Sequence, residues 1–308
     1  MKALITGSEG FVGPYLRSEL ENAGYEVIGA DLVGGNNTYQ IDLLDSDAVS
    51  RMMAELDPDV VFHLAAIADV GLSWKRPQAT MQVNIIAAIN IMETIKRKSL
   101  ERTKLVIVGS SDQYGPMGNA GTYVNESTAM RPVSPYAISK RAQEEMASLY
   151  AKNYGLKVCM TRSFNHSGPG QRNGFVIPDF ARGIVLLERG LAKELSVGDL
   201  TSRRDFTHVK DMVRAYRLIA ERGIPGEIYN VGSGVTYSIQ EILESLIQMA
   251  KCYVSVRFDP AKMRPSDTPV LCCDHTKITR DTGWEAEIPM SQILCDTLNY
   301  YRDISDLS

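Results

Sequence analysis

The stretch VGSSDQYG, Val108 to Gly115, closes a short apolar run with two hydroxyls and a carboxylate in succession, Ser110, Ser111 and Asp112. A buried strand has no use for three polar side chains at its tip unless something beyond the sheet meets them. A second stretch, SPYAISK (134 to 140), sets Tyr136 and Lys140 four apart at the start of a helix, hence on one face. A phenol with a reference pKa of about 10 exchanges protons near neutrality only with help. A neighbouring ammonium gives that help by favouring the phenolate, so the pair suits general acid/base work.

A third motif, TGSEGFVG (6 to 13), spaces Gly7, Gly10 and Gly13 as GxxGxxG directly after the first strand-like run. Glycines there permit a tight turn, let backbone amides approach a pyrophosphate and let the following helix pack closely, while the helix start attracts negative charge. Asp31, 18 residues after Gly13, closes the second strand, where an acidic side chain can accept hydrogen bonds from an adenosine ribose. A carboxylate in that place repels the extra phosphate of NADP, so NAD(H) is the expected cofactor and NADP(H) the alternative. A solvated loop aspartate before Gly34-Gly35 would look the same. Asp42 and Leu43, after a presumed third strand, are placed to flank the adenine, although Asp42 serves equally well as the cap of a turn.

These motifs sit on a regular alternation. Short β-rich runs, KALIT (2 to 6), YEVIGA (25 to 30), DVVFHLA (59 to 65), KLVIVGS (104 to 110), KVCMTR (157 to 162) and EIYNVGS (227 to 233), alternate with helical patterns near 11 to 23, 46 to 56, 79 to 98 and 135 to 154. Strands separated by helices mean βαβ crossovers and a doubly wound, parallel α/β sheet, which binds ligands at the carboxyl ends of its strands. Regularity weakens after about residue 165. The expected division is a dinucleotide-binding domain over 1–165 with return segments near 207–235, and a smaller α/β substrate-binding lobe from 166–206 and 236–308. That lobe includes a strand-like VSVRF (254 to 258) and helical patterns near 238 to 250 and 290 to 303.

Composition narrows the class of partner. With 308 residues, 44% hydrophobic and 23% charged, the chain buries a large core. A net charge of -4 and a pI near 5.7 leave no basic field for nucleic acid or an anionic membrane, although Arg203-Arg204 can hold a small phosphate ligand. Five cysteines (159, 252, 272, 273 and 295) show no CxxC pair and no metal-ligand spacing, which favours free thiols in a reducing cytoplasm and no metal site. No signal-peptide pattern precedes the first strand, and no apolar run nears the about 18 residues that span a bilayer.

The glycine turn, DVVFHLAA, the strand ending in Ser110 and YAISK, in this order, resemble the extended short-chain dehydrogenase/reductase family, in its branch acting on nucleotide sugars. The resemblance covers essentially the whole chain. It implies that Ser110 orients the sugar, Tyr136 transfers the proton, and Lys140 lowers the tyrosine pKa while holding the nicotinamide ribose. It implies that Phe11, Val12, Leu64, Ala65 and Ala66 join the glycines at the cofactor. TRSFNHSGPGQRNGFV (161 to 176) resembles the family's substrate segment, which places Asn165 and Val176 at the sugar nucleotide together with Ser111. RRDFTHVKD (203 to 211) and MRPSDTP (263 to 269) resemble two arginine motifs that clamp a pyrophosphate, through Arg204 and Arg264, a task suited to the forked guanidinium.

Within that branch the wording FNHSGPGQ, VGDLTSRRDFTHVKD and TGWEAEIPM resembles the group of GDP-mannose 4,6-dehydratases and GDP-6-deoxy-4-keto-mannose reductases. The two differ at the strand tip. A dehydratase must also take a proton from C5 and expel the C6 hydroxyl, for which the family uses a glutamate two residues after the strand-tip threonine. Here Asp112 stands there, one methylene shorter, and proton transfer needs heavy atoms within about 3 Å. A reductase lacks nothing. The expectation is reduction of the C4 ketone of GDP-4-dehydro-6-deoxy-D-mannose to GDP-D-rhamnose, with Asp112 orienting a sugar hydroxyl or closing the loop. The alternatives are GDP-mannose dehydration, 4-epimerisation on recycled NAD, and a non-catalytic dinucleotide-binding sensor.

Three further features carry expectations. His166 either touches the nicotinamide or sugar or is structural, and His208 packs or caps the helix beginning near Val209. Ser73 and Trp74, read as a loop after the fourth strand, line the sugar site or support that loop. The segments 79 to 98 and 135 to 154 carry apolar residues on more than one face, Val83, Ile85, Ile86, Ile89, Ile91 and Met92 in the first. Relatives pair through these two helices, so a homodimer is expected.

Overall fold

Each apolar run becomes a strand because the helix that follows returns the chain to the same end of the sheet. The computed structural model describes residues 1–97, 100, 102–116, 122–262 and 271–306. In chain order its strands are β1 (Lys2–Thr6), β2 (Glu26–Asp31), β3 (Thr38–Gln40), β4 (Val60–His63), β5 (Lys104–Ser110), β6 (Thr122–Val124), β7 (Val158–Ser163), β8 (Asn165–Ser167), β9 (Leu195–Val197), β10 (Arg203–His208), β11 (Ile228–Val231), β12 (Thr236–Ser238), β13 (Val256–Phe258) and β14 (Leu271–Cys273). Its α-helices are α1 (Gly13–Asn22), α2 (Ser46–Leu56), α3 (Val70–Lys75), α4 (Pro77–Met81), α5 (Ala87–Arg97), α6 (Pro135–Tyr154), α7 (Val176–Glu188), α8 (Val209–Arg222), α9 (Ile239–Gln248), α10 (Thr276–Thr282) and α11 (Met290–Asp303).

Seven strands form one parallel sheet in the order β3-β2-β1-β4-β5-β7-β11, so the expected doubly wound fold is present. The winding reverses between β1 and β4, and their carboxyl ends open a crevice that suits a dinucleotide. Both faces are covered, as a parallel sheet requires. Leu16 and Leu20 of α1 and Met212, Tyr216 and Ile219 of α8 pack on one side. Val49 and Met53 of α2, Ile91 and Ile95 of α5 and Ala147 and Tyr150 of α6 pack on the other.

A third core joins Ile177, Phe180 and Ile184 of α7 to Ile242 and Leu246 of α9 and Ile293 and Leu298 of α11. It lies beside a three-stranded sheet β12-β10-β8 and a pair β13-β9, while β14 pairs with β6. Ile278 and Trp284, in the span assigned to the second lobe, instead pack into the core beneath α8. There the Trp284 indole donates to the Asp211 carbonyl at 2.9 Å.

Local chemistry sets the helix that carries Tyr136 and Lys140. Ser134 is its N-cap, accepting from the Ala137 amide at 3.1 Å, Pro135 opens it and Gly155, at φ 69°, ends it. His208 caps α8, its Nδ1 accepting from the Lys210 amide at 3.0 Å, in line with the capping role expected of it.

The segment expected to be one helix over 79 to 98 differs. It is interrupted at Gln82–Ile86 by a π turn, whose buried Asn84 accepts from the Ile67 amide at 2.8 Å and donates to the Ile67 carbonyl at 3.2 Å and the Ser139 hydroxyl at 2.9 Å. Hydrogen-bonding groups on a loop and on α6 therefore decide the pitch here, which hydrophobic spacing does not report. Ser73 and Trp74 lie in helix α3 and not in a loop, because Asp69 caps that helix through the Leu72 amide. Ser73 is buried and donates to the Val70 carbonyl, and Trp74 is 63% exposed, so neither lines the sugar site.

Asp205 ties β10 to the chain leaving β11 and to β14. Its buried carboxylate accepts from the Ser233 amide (2.9 Å) and hydroxyl (2.6 Å), the Gly234 amide (2.9 Å) and the Cys273 amide (3.0 Å). Asp205→Ala strands three backbone donors and is expected to cost about 3 kcal/mol or more, at roughly 1 kcal/mol or more for each unpaired buried group. Denaturant unfolding checks this, and an unchanged midpoint would contradict it.

Candidate functional site

The carboxyl ends of β1, β4 and β5 open into a cleft of about 1340 Å³ that runs from the glycine turn to the α7–β9 region. Gly7 makes its first wall possible. It adopts φ +73°, and a methyl group there would lie 2.8 Å from the Ala65 amide nitrogen and Cα. Only glycine lets the β1 turn approach the chain leaving β4 so closely. Gly10, Phe11, Val12, Leu64, Ala65 and Ala66 line the same end. Gly13 does not reach the cleft wall: it begins α1, where a Cβ would meet the Ser8 carbonyl oxygen at 2.1 Å, so its task is packing.

Asp31, Asp42 and Leu43 line the far side of this end. The Asp31 carboxylate accepts from the Glu9 amide at 3.1 Å and the Val33 amide at 3.3 Å, which fixes its place beside the glycine turn. Asp42 also closes a turn by accepting from the Leu44 amide at 2.9 Å, the capping role given as its alternative.

At the centre, Ser110 ends β5 as the N-cap of a 3-10 turn, Ser111–Tyr114. Its hydroxyl accepts from the Asp112 amide at 3.2 Å, and its own amide donates to Gln113 Oε1 at 3.1 Å. This capping box accounts for the polar side chains of Ser110 and Gln113, while those of Ser111 and Asp112 belong to the cleft lining. Ser110, Ser111, Asp112, Tyr136 and Lys140 all face the cleft.

The Tyr136 phenol is raised by burial and by the nearby Asp112 carboxylate, against a hydrogen bond with Ser110 that lowers it. At neutral pH it keeps its proton. Lys140 is buried, and Nζ donates to the Val108 carbonyl at 2.8 Å and Gln143 Oε1 at 3.0 Å. Burial pushes its pKa down to about 7. The ammonium is thus anchored to β5 and not to the phenol in this arrangement. Burial also raises the Asp112 carboxyl above its ordinary range, opposed by the charge of Arg204.

The lobe supplies the opposite wall, including Asn165, His166, Val176 and Arg204. Asn165 donates to the Asp205 carbonyl at 3.4 Å. His166 stacks on Phe11 at 6.2 Å with the rings 6° from parallel, and its Nδ1 pairs with the Phe164 carbonyl at 3.0 Å. Burial lowers its pKa, so the ring is neutral and bridges the two walls. Arg204 donates to the Arg203 carbonyl at 2.7 Å and lies at the catalytic end, near Asp112. Arg203 turns away to Thr236 and Glu241. Arg264 lies outside the described residues.

Several residues that shape the site carry no sequence signal strong enough to single them out. Tyr216, from α8, lines the cleft and shares a hydrogen bond with Ser163 at 2.9 Å. Asn84 secures Ser139, the neighbour of Lys140. His63, within the noted DVVFHLAA, pairs with Thr6 at 2.8 Å and is pushed down to about 3 by burial and by Lys140, so it is neutral. Each acts through partners far along the chain, which spacing does not reveal.

A hydroxyl, a phenol and an ammonium at the tip of a parallel strand, beside a glycine turn and a carboxylate, form an arrangement that can move a proton at a carbonyl oxygen next to a dinucleotide. The comparisons with known proteins agree with this geometry. Over 294 residues, 95% of this chain and 94% of the relative, the sequence is 34% identical to the GDP-6-deoxy-D-mannose reductase of Pseudomonas aeruginosa. A solved structure of RMD from Pseudomonas aeruginosa complexed with NADPH superposes with a TM-score of 0.88 at 32% identity, covering 97% of this chain and 98% of that one. The UDP-glucose 4-epimerase of Thermus thermophilus, in complex with NAD, gives a TM-score of 0.89 at 28% identity, covering 98% and 99%. The family profile described as GDP-mannose 4,6 dehydratase matches residues 4–297, so a sequence with this cleft and this strand tip belongs to the GDP-mannose 4,6 dehydratase family.

Proposed function

We propose that this chain is a nucleotide-sugar oxidoreductase that reduces the C4 ketone of GDP-4-dehydro-6-deoxy-D-mannose to GDP-D-rhamnose, using a nicotinamide dinucleotide with NADH preferred over NADPH. The observation that carries the choice of reaction is the strand tip. Ser110, Tyr136 and Lys140 are complete for reduction, whereas the group available for elimination is the short side chain of Asp112.

The cofactor fits what the chain presents. Gly7 and Gly10 leave backbone room for a pyrophosphate, Asp31 meets an adenosine ribose, and Leu64, Ala65 and Ala66 wall the crevice. Lys140 has three donors, two of them engaged by Val108 and Gln143, which leaves a third for a ribose hydroxyl. When bound, the dinucleotide supplies the hydride for C4.

The chain's own residues handle the oxygen. Ser110 holds the C4 oxygen by hydrogen bonding, and Tyr136 gives it a proton as negative charge develops. The raised phenol suits this direction, because a reduction starts from the protonated acid. Charged Lys140 supports the phenolate left behind. Asn165 and Arg204 place the sugar nucleotide against the lobe, and Asp112 orients a sugar hydroxyl. The free thiols of Cys159, Cys252, Cys272, Cys273 and Cys295 suit a reducing cytoplasm. No helix among the described residues is long and apolar enough to cross a membrane.

A homodimer accompanies this reading. Ile138 (46% exposed) and Leu149 (51%) lie on one stripe of α6, beside the half-exposed Ile86 of the π turn.

The first test gives the purified protein GDP-4-dehydro-6-deoxy-D-mannose with NADH or NADPH, with GDP-mannose in parallel. Oxidation of the dinucleotide by the ketosugar, faster with NADH, and inertness towards GDP-mannose are expected. Conversion of GDP-mannose to the ketosugar without added NADH would establish the dehydratase instead. Tyr136→Phe is expected to lower kcat by about a thousandfold, within the range for loss of a positioned acid. Because Lys140 is charged below about pH 7 and loses its proton above it, kcat/KM falls through an alkaline limb centred near that value. Lys140→Met abolishes the limb, and a limb that survives it would contradict this assignment. In solution the mass by light scattering is expected at twice 34.1 kDa, dropping to one chain in Ile138→Glu/Leu149→Glu.

A further inference from the structure

Beneath the strand tip lies a polar network that the reaction as described does not use. Arg162 of β7 and Glu144 of α6 form a buried bidentate pair, Nε to Oε2 at 2.9 Å and Nη2 to Oε1 at 2.7 Å. Glu144 stands four residues after Lys140, on the same face of the same helix. Its Oε2 also accepts from Gln113 Nε2 at 2.8 Å, while Gln113 Oε1 accepts from the Ser110 amide at 3.1 Å. Gln113 is fully buried, and one amide group therefore joins the residue that begins the catalytic turn to the helix that carries Tyr136 and Lys140.

The other side of the network is equally tied. Arg162 Nη1 donates to the Tyr114 hydroxyl at 2.9 Å and the Glu126 carbonyl at 3.0 Å, and Tyr114 donates to Asn230 Oδ1 at 2.7 Å. A guanidinium and a carboxylate withdrawn from water hold their geometry strictly, because any movement leaves a charge unpaired. The Glu144 carboxylate is thus a fixed acceptor.

The geometry points to Gln113 as a positioning residue for the reduction: it sets the Ser110 backbone, and so the Ser110 hydroxyl, relative to Tyr136 by spanning from that backbone to the immobile Glu144–Arg162 pair. A shift of the strand tip by a fraction of an ångström moves the hydroxyl off the C4 oxygen while leaving the dinucleotide crevice and the lobe in place. Gln113 touches neither ligand, so its loss acts on turnover and not on binding. This inference rests on the catalytic role given to Ser110 above.

The test compares Gln113→Leu, Gln113→Glu, Ser110→Ala and the double variant Ser110→Ala/Gln113→Leu. Gln113→Leu is expected to lower kcat about tenfold, with KM and the dinucleotide Kd changed by less than about twofold, the pattern of an interaction that matters in the transition state alone. In the Ser110→Ala background it is expected to do nothing more, since its effect passes through that hydroxyl. Gln113→Glu gives a titratable rescue. Its carboxyl, when protonated, accepts from the Ser110 amide and donates to Glu144. When ionised it repels Glu144, so kcat relative to wild type is highest at low pH and falls as pH rises. Amide exchange at Ser110 accelerates in Gln113→Leu while residues 105–108 keep their protection.

Multiplying losses in the double variant would overturn the inference, as would unchanged exchange at Ser110 or a Gln113→Glu rate that tracks wild type at every pH. A wild-type protein inert towards the ketosugar counts against the reductase reading alone, and amide exchange at Ser110 then decides the positioning claim. If Gln113→Leu fails to fold, the isosteric Gln113→Glu gives the same answer from its pH profile.

Discussion

The site depends on one buried ammonium. Lys140 is taken out of water, and a charge so placed must find hydrogen-bond acceptors or give up its proton. It does some of both: Nζ donates to the Val108 carbonyl and to Gln143, and its pKa sinks to about 7. The Val108 bond pins helix α6 to strand β5 two residues before Ser110. The hydroxyl from the strand and the phenol from the helix therefore meet across that contact, with Gln113 bracing the Ser110 backbone to the same helix through Glu144.

A second constraint acts where the winding of the sheet reverses. The Gly7 turn and the chain leaving β4 approach until no side chain fits between them, which opens the crevice on one side and brings Asp31 to its edge. The lobe then supplies what the sheet lacks. Asp205 gathers the Ser233, Gly234 and Cys273 amides, holding β10 so that Arg204 faces the cleft, while His166 stacks on Phe11 across it. The two walls of the cleft are thus joined by a ring stack, and the lobe's β10 is fixed by a buried carboxylate to the chain after β11 and to β14.

The electrostatics at the strand tip favour an acid waiting with its proton. Burial and the Asp112 carboxylate hold the Tyr136 proton in place, and Ser110 alone opposes them. Asp112 itself is raised by burial and restrained by Arg204. In a family whose members include dehydratases, the shorter carboxyl and the complete Ser110, Tyr136 and Lys140 set are what incline this chain towards simple reduction.

Much of this was legible in the sequence. Alternation of β-rich runs with helical periods identified the doubly wound sheet, because a βαβ unit writes its two periodicities directly into residue order. The helical pattern over 135 to 154 marked the helix that carries Tyr136 and Lys140, and the glycine spacing marked the turn, since both are local patterns. What the sequence left open involves partners far apart in the chain. The π turn follows from Asn84 reaching Ile67 and Ser139, and Ile278 and Trp284 join the main core through α8; the helix at Ser73 and Trp74 is the local exception, started by an Asp69 cap three residues from its partner. The network of Gln113, Glu144, Arg162 and Tyr114 spans the sheet and two connections. Residue types and local spacing thus determined which chemistry is available. Only the tertiary structure decided which groups are buried against which, and hence how each proton is held, because desolvation and hydrogen-bond partners exist only once the chain has folded.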